Sequence, residues 1–343
     1  MELYERESLV AKIILGDSRL RIKKDLTLIV HPLTIEKNFL AQETYRDSYD
    51  DALFSGVYTR KEMLKILKEN DVWTEEQDEE LSKIADDLDK LKERYFDNFF
   101  VPISKNIRRS IQDLEREQSR LHEIKHANDH LDCEGIAAYS RWSWIIENST
   151  FCEDGEPYDF SHVDASTVLR YYHQNRTPQE KIRELARTLP WRNIWVNCNQ
   201  IPKDAFNRKP NELSEEQSGL LDWTRLYDNI AESSEPPEEV IIKDDYALDG
   251  WLIKQKNKRS KERIESKYSN LTAKHPNADE IFIVANTEKE INEIYELNDA
   301  ESKFMIKSRM AEIDELKDGE SIGYQSFKDV KVKNMNKANA KFG

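Results

Sequence analysis

Glycine is scarce in this chain, nine in 343 residues, and there are only ten prolines. Turn-rich β barrels and glycine-fingerprinted nucleotide folds need glycine wherever the backbone takes positive φ or approaches a phosphate, so both are disfavoured and helices are favoured. Cysteine is scarcer still. Cys133, Cys152 and Cys198 are odd in number and widely spaced, which argues against a disulfide framework and against a paired-cysteine zinc site, and fits a reducing compartment. No apolar run approaches the roughly 18 residues of a membrane span. The longest, Leu26–Val30 and Ile281–Ala285, are strand-sized, and the opening MELYERES has no signal-peptide pattern, so no membrane partner is expected. The motifs G-x-x-x-x-G-K-[ST], G-x-G-x-x-G and G-x-S-x-G are all missing, which leaves nucleotide-dependent and serine-hydrolase chemistry without an anchor; no cofactor is expected.

What the chain does have is acid and aromatic surface. Asp and Glu number 67 against 52 Lys and Arg, a formal charge of −15. Apolar residues make up 38%, below the usual share, yet seven Trp, fourteen Tyr and twelve Phe supply large groups to bury. These figures describe a soluble, acidic protein long enough for two or three domains.

Periodicity places the elements. Arg21–Val30 alternates polar and apolar and is closed by His31-Pro32, so one or two short strands open the fold. Helices then dominate. Gly56 stops the first, and Thr59-Arg-Lys-Glu62 and Thr74-Glu-Glu-Gln77 have the capping-box form, in which side chain and backbone close the first helical turn reciprocally. Ile84, Leu88, Leu91 and Tyr95, and beyond Pro102 Ile107, Ile111, Leu114 and Leu121, recur at three- and four-residue steps, the pattern of two long amphipathic helices paired as an antiparallel hairpin. Gly135–Phe151 reads as the most apolar helix. Thr177-Pro-Gln-Glu180 reads as a further capped start, Asn197–Ser218 as a loop and Gly219–Ile230 as a helix.

The resulting fold class is mainly α with a small β contribution (α+β), built of long amphipathic helices, short N-terminal strands and a small C-terminal α/β unit. Its expected divisions are a strand/helix region at 1–56, a helical body at 57–231, an acidic Pro-containing linker at 232–243, a basic helix plus small α/β unit at 244–327, and a lysine-rich tail at 328–343.

Three groups of residues invite a chemical reading. His122-Glu123-Ile-Lys-His126 matches H-E-x-x-H, in which histidines four apart share a helix face and could hold Zn²⁺ for a hydrolase, with His130 as a third ligand. Its surroundings are charged rather than apolar, with Lys125 at an inner position and no Gly-x-x-His continuation, so a charged helix that carries histidines is the preferred reading and no metal is expected. The pairs Asp50/Asp51 and Asp244/Asp245 offer hard oxygen ligands to Mg²⁺ but follow from an acid-rich composition. The basic run Lys254, Lys256, Lys258, Arg259, Lys261 and Arg263 could neutralise phosphates, although the net charge favours a solvated helix face or a docking surface for an acidic protein partner over nucleic acid. Trp191, Trp195, Trp223, Tyr227 and Trp251 could share a face and are either core or partner-binding anchors.

Five segments together, Val30-His-Pro-Leu-Thr34, Gly56-Val-Tyr-Thr-Arg-Lys-Glu62, Val72-Trp-Thr-Glu-Glu76, His130-Leu-Asp-Cys-Glu-Gly135 and Asp244-Asp-Tyr-Ala-Leu-Asp-Gly-Trp251, resemble the uncharacterised virion and tail-assembly proteins of large tailed bacteriophages. The resemblance implies a non-enzymatic structural subunit or assembly chaperone in the host cytoplasm or virion. It would bind other phage structural or assembly proteins, or further copies of itself. No catalytic residue carries over.

Overall fold

The computed structural model describes residues 1–274 together with the single positions 291, 294, 295, 303, 306 and 307. Among these the fold is mainly helical with one small antiparallel sheet. Two compact units divide the chain, Met1–Leu248 and Asp249–Gly343. The strand, helix and tail expected between 280 and 343 lie outside the described residues, apart from those single positions.

The chain opens with a helix that periodicity did not reveal, α1 (Leu3–Leu15). It ends at Gly16 with φ 73°, and the buried side chain of Gln217 closes it by donating to the carbonyls of Ile13 and Ile14 at 3.0 and 3.1 Å. These are carbonyls a helix C-terminus cannot satisfy internally. Strands β1 (Ser18–Lys23) and β2 (Leu26–Val30) follow, and β2 also pairs with an unexpected third strand, β3 (Thr150–Cys152). The sheet order is β1-β2-β3. Leu20, Leu28 and Val30 pack from the sheet onto Ile146, Val168 and Leu169. The last three belong to α6 (Cys133–Ser149) and α7 (Ala165–Gln174).

Helix α2 (Ile35–Phe54) runs antiparallel to α6: Lys37 Nζ donates to the Asn148 carbonyl at one end, and the Cys133 N–H donates to the Tyr58 carbonyl at the other. Its buried positions are Ala41 and Ala52, small enough to let the two backbones approach. Gly56 does terminate α2. Its N–H reaches the Leu53 carbonyl and that of Val57 the Ala52 carbonyl, the double bond of a Schellman ending, with Gly56 at φ 83°.

Both capping boxes are present, Thr59/Glu62 at α3 (Arg60–Glu69) and Thr74/Gln77 at α4 (Glu75–Asp97). Helix α4 pairs with α5 (Ser104–Lys125), and the hairpin closes a core of Trp73, Ile84, Leu88, Tyr95, Ile107, Ile111 and Leu121. Ile241, from the short α12 (Glu239–Lys243) inside the acidic segment 232–243, packs into that same core.

The remaining helices are α8 (Gln179–Ala186), α9 (Trp191–Asn197), α10 (Pro202–Phe206), α11 (Glu215–Ala231) and α13 (Asp245–Lys274). Two expectations are corrected here. Thr177 does not cap α8, which starts behind Pro178; its N–H is taken by Glu216 Oε1 at 2.6 Å and its hydroxyl by Lys12 Nζ at 3.3 Å. The 197–218 segment is not all loop, because Ala205 and Phe206 of α10 are buried, the phenyl stacking on Trp191 at 5.4 Å.

Candidate functional site

The histidine motif lies on the last turns of α5. Leu121 and Ile124 turn toward the hairpin core, and Lys125 follows them inward, its ammonium 2.7 Å from Asp78 Oδ1 and 5.5 Å from the centroid of the Trp73 ring. His122, Glu123 and His126 are left exposed. The His122 and His126 rings stack at 5.9 Å, but His126 Nδ1 engages Asp129 at 2.9 Å and His130 Nδ1 turns to the Ala127 carbonyl at 3.1 Å. No group of three or more His, Cys, Asp or Glu among the described residues is arranged to hold a metal ion. A shallow groove alongside is formed on α5 by the polar and charged residues Gln112, Glu115, Arg116, Ser119, Arg120 and Glu123.

The segment after the motif is a structural junction. Asp132 caps α6 through a 2.6 Å bond from the Gly135 N–H, and its other carboxylate oxygen receives Arg60 Nε at 3.0 Å. Cys133 Sγ donates to the Val57 carbonyl at 3.2 Å. Burial, then Glu134 and Asp132, push its thiol up, away from the thiolate that nucleophilic chemistry requires.

The acidic pair Asp244/Asp245 is likewise occupied by the fold. Asp244 Oδ2 receives Arg108 Nη1 at 3.0 Å and the Tyr95 hydroxyl at 3.3 Å. Asp245 Oδ1 takes Arg183 Nε at 3.0 Å and Arg187 Nη1 at 2.5 Å, and the next residue, Tyr246, donates to Glu115 at 2.6 Å. Burial, then the bond to Glu115, raise the Tyr246 phenol. Three consecutive side chains thus bind the hairpin and α8 to the start of α13.

The aromatic residues read as anchors are mostly interior. Trp191 is 0% exposed and Trp195 2% exposed, their indole N–H groups donating to Thr224 Oγ1 at 2.8 Å and Asp228 Oδ2 at 3.0 Å, both on α11. Tyr227 is buried under Arg187, which donates to its hydroxyl at 2.9 Å. Trp251 is also buried. Only Trp223 is half-exposed, with the Arg183 guanidinium 4.5 Å from its ring centroid. Burying each such ring contributes about 2 kcal/mol, so Trp191 and Trp195 belong to the core.

The basic run is exposed at all six positions along α13. At about 100° per residue, Lys254, Lys258 and Lys261 form one row and Lys256, Arg259 and Arg263 another on the opposite face, so one flat surface meets three cations at a time.

Exposed apolar side chains include Leu3/Tyr4 and Phe39/Leu40, and two further groups cluster at the ends of elements. Where α2 ends, Leu53, Phe54 and Tyr58 are exposed, Phe54 at 88%. The Tyr58–Cys133 backbone bond brings exposed Leu131 to the same place. At the tip of the α4/α5 hairpin, Phe100, Val101, Pro102 and Ile103 form an exposed run, Phe100 at 69%. That run carried a signal in the sequence: a connection between two amphipathic helices is ordinarily polar, and four consecutive exposed apolar residues mark a functional surface. The α2 patch carried none, because Leu53 and Phe54 sit at the end of an ordinary helix and only the packing of the fold shows that nothing covers them. No protein-family model, curated protein or solved structure matches this chain.

Proposed function

We propose that this chain is a non-enzymatic structural or assembly protein, of the kind that builds phage virions and tails, and that it works by holding other protein chains in the host cytoplasm or in the particle. The observation that carries the reading is the exposure of Phe54 and Phe100 in a chain whose tryptophans are otherwise largely enclosed. Exposed aromatics grouped with aliphatic neighbours are costly in water and are the usual centre of a protein contact. The test is mass in solution, by light scattering with mass spectrometry of co-eluting species, in lysate from cells making its native neighbours. Co-elution with structural subunits, lost in Phe54→Asp or Phe100→Asp, is the expected result; a chain that co-elutes with nothing would sink the reading.

A second reading, a nucleic-acid-associated factor, is favoured by the six exposed cations of α13. With three cations per face, the logarithm of its affinity would fall by about three for each tenfold rise in salt. Retention on DNA or RNA columns across a salt gradient measures that slope, and no retention at low salt excludes it.

A further inference from the structure

These two exposed apolar patches, among others such as Leu3/Tyr4 and Phe39/Leu40, carry rims of opposite sign. Around the hairpin tip, residues 94–109 hold Arg94, Lys105, Arg108 and Arg109 against Asp97, and with Arg108 already paired to Asp244 three cations remain to face outward. Arg94, Lys105 and Arg109 are exposed, and at 1.5 Å per residue all lie within about 10 Å of the tip along the helix axes. The patch at the end of α2 is the reverse. Residues 47–62 and 129–134 hold six anions outside the core, Asp47, Asp50, Asp51, Glu62, Asp129 and Glu134, and the buried Asp132, against Arg60 and Lys61. Arg60 is already paired with Asp129 and Asp132.

Both patches belong to the unit Met1–Leu248 and both are exposed within it, so neither covers the other in the same molecule. We propose that a second copy of this chain is the occupant: the Phe100–Ile103 tip of one molecule seats on the Leu53/Phe54/Tyr58/Leu131 patch of another. The inference rests on the reading that the chain works through protein contacts, and names one of those contacts. Apolar surface at the centre supplies the affinity, while opposite rims steer encounter and fix register. An anionic bilayer would accept the tip, but it would repel the acidic patch and leave Phe54 in water; a second copy accounts for both surfaces at once. The contact joins two different patches, so it is heterologous rather than two-fold.

The experiment is sedimentation velocity on the purified full chain from about 1 to about 100 µM, the range of a moderate self-affinity. The weight-average mass should rise above 40.5 kDa with concentration and fall back as salt is added. Phe100→Asp and Phe54→Asp should each weaken association at least about tenfold without moving the urea midpoint, since both side chains are exposed. Reversing the tip with Lys105→Glu and Arg109→Glu should do the same, and adding Asp50→Lys and Asp51→Lys should restore it. A monomer at every concentration, association untouched by the aspartates, or a reversal that the second pair fails to rescue would overturn the proposal. So would tip-dependent binding to anionic vesicles by a chain that does not self-associate. A monomer that still co-elutes with other subunits in native lysate removes the second copy and leaves the broader reading standing; one that co-elutes with nothing removes both.

Discussion

Gly135 has no room for a side chain. A β-carbon there would stand 1.8 Å from the Asp129 carbonyl oxygen and 2.9 Å from His130 Cα, both backbone atoms, so relief requires moving the turn that delivers Asp132 to its cap. Gly135→Ala should therefore cost about 3 kcal/mol in urea unfolding, an overpacking penalty at the upper end of its class. Asp78 governs a different response. Burial alone would raise its pKa, but hydrogen bonds from Lys125, Lys68 and the Trp73 indole outweigh that and hold its carboxyl well below the ordinary range. A depressed folded pKa stabilises the fold fully above the unfolded value of about 3.9, and that stabilisation is lost as pH falls through the folded one. Urea midpoints of the native chain and of Asp78→Asn should accordingly differ most at neutral pH and draw together below about pH 4. A gap that stays constant into acid would show that Asp78 acts by shape alone.

At the scale of elements, the caps are where sequence and structure meet most closely. Thr74 Oγ1 receives the Gln77 N–H while the Gln77 side chain receives the Thr74 N–H, so Thr74→Ala should lower stability by about 1 kcal/mol with no change in the denaturant slope. The α4/α5 hairpin was legible because everything that makes it is local: a cap, a three-and-four apolar rhythm and a proline between the helices. Helix α1 was not, because only Val10 and Ile13 are fully buried and its ending is built by Gln217, 204 residues from Ile13 in the chain. Strand β3 was hidden for the same reason, three residues long and defined by its pairing with a distant strand. Thr177 had the right neighbours for a cap, but Lys12 and Glu216 claim its polar groups from other elements. The tryptophans show the limit at the site itself. Spacing put Trp191 and Trp195 on one face, but only the position of Thr224 and Asp228 decided that this face turns inward.

At the scale of the whole molecule, the segment from Ile241 to Leu248 carries more connections than its length suggests. Ile241 and Ala247 enter the hairpin core, and Asp244, Asp245 and Tyr246 join α4, α5 and α8. Just before it, Glu232, Ser234, Glu235, Pro236 and Glu238 are exposed, outside any regular element. A protease that cuts after glutamate should therefore find this stretch early, as exposed irregular backbone is cut first. The two pieces should then run separately on a denaturing gel yet elute together from a sizing column. The chain is in this sense already divisible: made as two polypeptides meeting near residue 235, it should reassemble by complementation, with the Asp244-Asp245-Tyr246 triplet acting as the plug and the arginines and tyrosines around it as the socket.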